Sequence, residues 1–297
     1  MLQWRSALSD LFQTPPALWK SRWCLWRAKH QGGGYPRHLS QVQQPCVFVL
    51  STGRTGTQNL AALLSLAKGV RALHEPRPKL FGLSHKAYHY GNHPAVRETL
   101  AEAFIVARQD LILAWAACGA IYVETSPQVT FLAPTIARVC PTAKFIHLVR
   151  DPHAVVRSGM RRGWFQGQQA DPYRITPLPQ DPYYARWDTL TPFEKNAWLW
   201  AETNRWIHAF LTSLPPEHGL LVRAEDIFAG NQSTLEKLFA FVGAADVPSE
   251  KAIQRVLRKR LNAQKQGDFP PPHDWPPSWH AQFDAIVGET AQLLGYA

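Results

Sequence analysis

The stretch CVFVLSTGRTGTQNL, Cys46 to Leu60, decides how the rest of the chain is read. Val47 to Leu50 is an apolar run of strand length, Ser51 to Gly56 is a loop of glycines, hydroxyls and one arginine, and a helical pattern begins near Thr57. A strand feeding a helix through such a loop makes an anion cradle, because backbone N–H groups and the positive helix end converge on one point. Gly53 and Gly56 allow the backbone to come close, while Arg54 adds a fixed charge and Thr55 and Thr57 add hydroxyl donors. The loop matches neither common nucleotide signature. No Gly-Lys-Ser/Thr closes it, and Ser51 stands where a dinucleotide fingerprint needs its first glycine. A plain strand-to-helix turn would account for the glycines but not for the arginine between them.

Working outward, short apolar runs alternate with helical patterns from Cys46 onward, which predicts an α/β fold with a central parallel sheet between two helical layers, a three-layer sandwich. The expected strands are Val47–Leu50, Val70–Leu73, Ala120–Val123, Phe145–Val149 and Leu220–Val222. Helices are expected near 57–67, 95–117, 128–139, 152–162, 192–213, 233–242, 249–261 and 280–296. The run 165–190, rich in Pro, Tyr, Gln and Asp, reads as a long loop or lid, and 268–279 as irregular. Residues 1–44 stand apart as an extension, ending in the Gly-rich linker 31–36, and residues 45–297 form the main domain. Trp19, Trp23 and Trp26 lie on one helical face of the extension. That face could touch a membrane surface through residues 1–30 at most; packing against the main domain is the expected use.

Composition bounds the function without choosing it. The chain has 297 residues and a formal net charge of +10, which favours anionic ligands. The four cysteines have no metal-ligand spacing, so reduced thiols, no metal site and a cytoplasmic location are expected. No apolar stretch has the length of a membrane span, and the first residues show no basic region followed by an apolar core, so no export signal is expected.

A second constellation is KFIHLVRDPHAVVRSG, Lys144 to Gly159. Arg150 closes an apolar strand at the carboxyl edge, where ligands bind in open α/β sheets. Asp151-Pro152 is a helix start, and Ser158 lies two turns further on, among Arg157, Arg161 and Arg162. An arginine at the strand end and a serine on the helix can grip a phosphate together. An ordinary junction with a solvated basic face reads equally well from this motif alone.

Taken together, FVLSTGRTGTQNL and FIHLVRDPHAVVRSGMRRGW, in this order and about a hundred residues apart, resemble the two nucleotide motifs of sulfotransferases that use 3′-phosphoadenosine-5′-phosphosulfate (PAPS). Leu221 to Ile227 and Asn262 to Phe269 resemble that family's late strand with its acidic turn and its C-terminal loop over the nucleotide. The resemblance implies a P-loop nucleotide-triphosphate-hydrolase-like fold, PAPS as donor and 3′-phosphoadenosine-5′-phosphate (PAP) as product, with no metal. It assigns the 5′-phosphosulfate to Thr52, Gly53, Arg54, Thr55, Gly56, Thr57 and Gln58. The 3′-phosphate goes to Arg150 and Ser158, with Lys265, Gln266 and Gly267 closing over the nucleotide. Arg54 would also stabilise charge developing in transfer. An arginine rather than a lysine in this loop is the pattern of carbohydrate-directed and bacterial members.

The acceptor hydroxyl must lose a proton to a general base. The resemblance places that base after the second strand. Neighbours on an extended segment face opposite ways, so one of His74 and Glu75 is expected to point into the site, and the match to the family's glutamate puts Glu75 ahead. Arg77 could hold an acidic acceptor, and Tyr183, Tyr184 and Trp187 are the expected acceptor-binding aromatics. Trp198 and Trp206 are expected in the core, and Glu124 and Ser126 in a structural turn. The acceptor itself is read as a hydroxyl of a glycan, lipid or secondary metabolite. The rivals are a degenerate phosphate-loop kinase, for which the lysine is missing, and a non-catalytic nucleotide or polyanion binder. Scattered basic residues without a nucleic-acid motif argue against a nucleic-acid partner.

Overall fold

The computed structural model describes Trp26, residues 38–259 and residues 267–296. Five strands form one parallel sheet: β1 (Cys46–Leu50), β2 (Val70–His74), β3 (Ile121–Thr125), β4 (Ala143–Val149) and β5 (Gly219–Arg223), in the order β2-β3-β1-β4-β5. The five expected strands are all present, within about two residues at their ends.

β1 shows why both faces of the sheet are covered. All five of its residues are buried, and its side chains alternate between two cores. Phe48 and Leu50 face one helical layer, Val47 and Val49 the other. On the second side lies α1 (Thr57–Leu64), which follows the loop after β1. On the first side lie α3 (Pro94–Ala117) and α4 (Ala133–Val139); α2 (Phe81–Tyr90) precedes them. The remaining helices are α5 (Pro152–Met160), α6 (Pro192–Thr212), α7 (Ala224–Phe228), α8 (Gln232–Val242), α9 (Glu250–Leu257) and α10 (Pro277–Leu293). The three-layer α/β architecture is as expected.

The connection leaving β1 runs to one side of the sheet, and the one leaving β4 runs to the other. Their adjacent carboxyl ends therefore open the crevice in which ligands of such sheets bind. Local sequence aims the chain there. Asp151 caps α5 by accepting from the Ala154 amide at 2.7 Å, with Pro152 in the first turn. Thr191 and Glu194 form a capping box at the start of α6, again followed by proline.

Three differences from the sequence expectation matter. α2 is a helix that periodicity did not predict, because Gly82 and its aromatic and polar neighbours are weak helix formers. The segment 128–139 divides into a short 3-10 turn at Pro127–Val129 and α4, which starts at the bend before Pro134. Cys46 and Cys140 are buried free thiols, whereas the exposed Cys118 is disulfide-bonded. The reduced-cysteine argument for a cytoplasmic location therefore fails at that position.

The segment 165–190 is irregular apart from two 3-10 turns, and it is pinned in place. One carboxylate oxygen of Asp171 accepts from the amides of Gln166, Gly167 and Gln168, and the other from Arg174 Nε at 2.8 Å. Leu39 and Val42, before the expected domain start, are buried in the main core. Of the tryptophan stripe, only Trp26 lies within the described residues, where it is 57 % exposed. Lys265 and Gln266 lie outside them. No described helix is long and apolar enough to cross a membrane.

Candidate active site

The site begins where β1 ends. The Thr130 hydroxyl accepts from the Ser51 amide at 3.1 Å and donates to the Ser51 carbonyl at 3.0 Å, fixing the start of the loop. Gly53, Arg54 and Gly56 then take φ values of 82°, 60° and 87°. Left-handed backbone at a non-glycine residue such as Arg54 costs about 1 kcal/mol or more and concentrates at functional loops. At Gly56 any side chain would force a shift, because a Cβ there would stand 2.4 Å from the Phe228 ring. Thr55 is fully buried behind the loop, and its hydroxyl has no protein partner among the described residues. Gln58 is half-buried in the first turn of α1.

The second motif folds onto this loop. Arg54 Nε donates to Ser158 Oγ on α5 at 2.9 Å, and Arg150 Nη1 donates to the Arg54 carbonyl at 2.9 Å. The Arg150 carbonyl is held in turn by Trp200 Nε1 at 2.9 Å. The Arg54 guanidinium is pulled down to about 10 by burial, and further by the nearby Arg162 and Arg150. A partly desolvated cation surrounded by cations, on a loop of left-handed turns, fits an anionic group with several oxygens. The residues therefore fit the sulfo-nucleotide that the sequence resemblance implied.

Gly267, the described member of the C-terminal triad, sits against α5. Arg161 Nε donates to its carbonyl at 2.9 Å, and its φ is 80°. A Cβ at Gly267 would meet the Arg161 carbonyl oxygen at 2.0 Å. Arg157 Nε reaches the carbonyls of Phe269 and Pro270, both at 3.2 Å, so this segment is tied to the helix that carries Ser158.

Beside the loop opens a cavity of about 360 Å³. Thr52, Gly53, Arg54 and Thr57 line one end, and His74 and Glu75 line its side. The expectation that only one of these two neighbours faces the site does not hold. Glu75 has φ 46°, so the chain turns left-handed at the end of β2 and presents both side chains to the cavity. His74 Nδ1 lies 2.7 Å from the Thr125 carbonyl oxygen. A carbonyl only accepts, so Nδ1 carries a proton, and in the neutral imidazole the lone pair is then on Nε2. Glu75 Oε2 is bound by Lys79 Nζ at 2.9 Å, and Oε1 stands 3.9 Å from His74 Nε2.

The turn after Glu75 is held from inside the protein. Arg108 of α3 forms a fully buried, two-pronged ion pair with Glu124 of β3, at 2.8 and 3.0 Å. Its Nη groups also donate to the carbonyls of Pro76 and Pro78, at 3.2 and 3.0 Å. Tyr122 adds a hydroxyl donor to Glu124 at 2.8 Å. Glu124 is thus part of the scaffold. Ser126 likewise accepts from the Gln128 amide at 3.2 Å and caps a short turn.

The residues expected to touch the acceptor are placed elsewhere. Arg77 is exposed and does not line the cavity. Tyr184 is 53 % exposed. Trp187 packs edge-on against Trp198, at a ring separation of 4.9 Å. Tyr183 lines a different cavity of about 1110 Å³, between α2, α6, α10 and the 178–186 loop. Aromatic side chains in a proline-rich loop drew attention to Tyr183, Tyr184 and Trp187, and that content does not say which face of a loop is used. The cavity lining instead includes Phe81, His85, Tyr173 and Arg174. Phe81 and His85 are four residues apart on α2, a helical spacing that was present in the sequence.

Residues 45–248 match the sulfotransferase family. Two solved structures share the fold. A sulfotransferase domain from the curacin biosynthetic pathway is 18 % identical, with a TM-score of 0.50 over 86 % of this chain and 98 % of that one. A sulfotransferase domain from the Synechococcus PCC 7002 olefin synthase is 17 % identical, with a TM-score of 0.50 over 88 % of this chain and 98 % of that one. No curated protein matches the chain.

Proposed function

The chain belongs to the sulfotransferase family, and on that premise we propose that it moves a sulfuryl group from PAPS to a hydroxyl of a glycan, lipid or secondary-metabolite acceptor, with His74 as general base. The observation that carries this reading is the Arg54–Ser158 hydrogen bond, backed by Arg150 on the Arg54 carbonyl. It joins two motifs distant in sequence into one polycationic, partly desolvated anion site.

Thr52 to Thr57 and Arg54 would hold the 5′-phosphosulfate, and Arg150 and Ser158 the 3′-phosphate. When bound, the donor supplies the sulfuryl group and a phosphate that leaves as PAP. His74 lines the cavity and is held through Nδ1 by the Thr125 carbonyl, so Nε2 of the neutral ring is the nitrogen left to take the acceptor proton. Glu75, already engaged by Lys79, is placed to stabilise the imidazolium that results. This order reverses the sequence-based preference for Glu75, and the reason is the fixed tautomer of His74.

Titration calorimetry with PAP tests the donor site. The protein should bind PAP, and the double variant Arg150→Ala, Ser158→Ala should not. Transfer of labelled sulfuryl groups to compounds in a cell extract tests the reaction, and identifying the labelled product names the acceptor.

A further inference from the structure

The acceptor wall of the cavity is built from two segments that meet at its mouth. One is the first turn of α2, carrying Phe81; the other is the 3-10 turn Asp171–Tyr173 of the 165–190 segment. They are packed together: the Tyr173 ring lies over Gly82, where a Cβ would stand 3.7 Å from it. Phe81 is 38 % exposed and Tyr173 51 %. Two large aromatic side chains, part in water and part in the lining, offer a ligand in the cavity an apolar surface.

Phe131, Ile175 and Leu199 extend the apolar surface of the cavity, beside the polar side chains of Ser84, Gln128 and Thr203. Two further polar groups of the lining are engaged by neighbours. His85 Nδ1 lies 3.2 Å from the Arg174 carbonyl, and Arg174 is stacked on Trp164 at 4.1 Å and paired with Asp171. A sugar needs hydrogen-bonding partners around most of its ring, and the rim formed by Phe81 and Tyr173 offers mainly ring carbon. A flat or chain-like apolar body needs only the surface that is present.

We propose that Phe81 and Tyr173 are specificity-determining residues. They would clasp the non-reacting body of a compact acceptor, an alcohol or phenol with an aromatic or alkyl skeleton, and direct its hydroxyl toward His74. This rests on the sulfotransferase reading above and narrows its acceptor to apolar hydroxyl compounds rather than glycans. The volume of about 360 Å³ is that of a small-molecule pocket.

The test uses the full-length protein with labelled PAPS and four probes: 2-naphthol, 1-octanol, methyl glucoside and a chitin disaccharide. PAP binding is measured first on the same preparation, so a failure of the donor site is seen separately from a failure of the acceptor assignment. The expected result is sulfation of 2-naphthol or 1-octanol with a kcat/KM at least about tenfold above either sugar. Phe81→Ser and Tyr173→Ser should each raise KM for the apolar probe about fivefold or more while kcat and PAP affinity stay within about twofold. Tyr173→Phe should retain the wild-type KM, which separates ring contact from a misfolded rim. Preferential sulfation of a sugar overturns the proposal. So do PAP binding without turnover of either apolar probe, and serine variants that leave KM unchanged.

Discussion

Arg108 and Glu124 form a two-pronged ion pair with no solvent exposure on either side chain, and the same guanidinium holds the carbonyls of Pro76 and Pro78. A buried charge stripped of its partner is strongly destabilising, so Glu124→Ala should lower stability by about 3–5 kcal/mol. Tyr122→Phe, which removes one of three donors to Glu124, should lower it by about 1 kcal/mol. Denaturant unfolding checks both, and a Glu124→Ala protein as stable as the wild type would refute the clamp.

Arg54 faces Ser158 at 2.9 Å and is surrounded by cations. Arg54→Ala should therefore weaken PAP binding by about tenfold or more, since hydrogen bonds to charged groups contribute about 1.5–3 kcal/mol each. It should leave the melting temperature unchanged or raise it, because like charges are relieved. A large drop in melting temperature would instead mark Arg54 as structural.

His74→Gln should reduce turnover by about 10²–10⁴-fold with PAP affinity preserved, the range expected for loss of a general base. Glu75→Gln should have a smaller effect, since the carboxylate acts on His74 and not on the acceptor. Single-turnover kinetics on both variants checks the order, and a larger loss in Glu75→Gln would return the base to Glu75.

Gly56 combines φ 87° with a Phe228 ring 2.4 Å from where a Cβ would stand. Gly56→Ala should cost about 1–3 kcal/mol of stability through strain and overpacking, and it should also weaken PAP binding. Adding Phe228→Ala should recover part of the stability but not the strained φ. Thermal melts and PAP titrations of the single and double variants measure the two effects separately.

His147 in β4 is fully buried, with Nε2 on Asn204 Oδ1 at 2.8 Å, and burial pushes its pKa from 6.5 down to about 4. Between these two values the unfolded chain binds a proton that the folded chain refuses. Stability should therefore fall as pH drops from about 6.5 toward 4, by about 3 kcal/mol in total from this residue. His147→Gln should flatten that part of the curve, leaving the more solvent-screened contribution of His89, whose pKa is also lowered to about 4. Urea unfolding across this pH range checks the slope, which must differ between the two proteins.

Much of the fold was legible because its signals are local. The apolar runs of β1 to β5, the Asp151-Pro152 cap and the Thr191–Glu194 box each act within a few residues. α2 was not legible, because its weak helix formers are held by packing of Tyr88 and Ser84 against the rest of the protein. Phe81 and Tyr173 were hidden for the same reason: they meet only once α2 and the 165–190 segment come together. Tyr183, Tyr184 and Trp187 had the right chemistry for an acceptor site but lie on other faces of that segment.

Short-range pattern and chain direction were enough to place the glycine–arginine loop after β1, and Arg150 and Ser158 after β4, at the carboxyl edge of a parallel sheet. Packing brought Arg54 onto Ser158, lined one cavity with His74 and Glu75, and set the Thr125 carbonyl against His74 Nδ1. Those facts depend on backbone angles and on contacts between residues 51 to 104 positions apart, which no local pattern encodes.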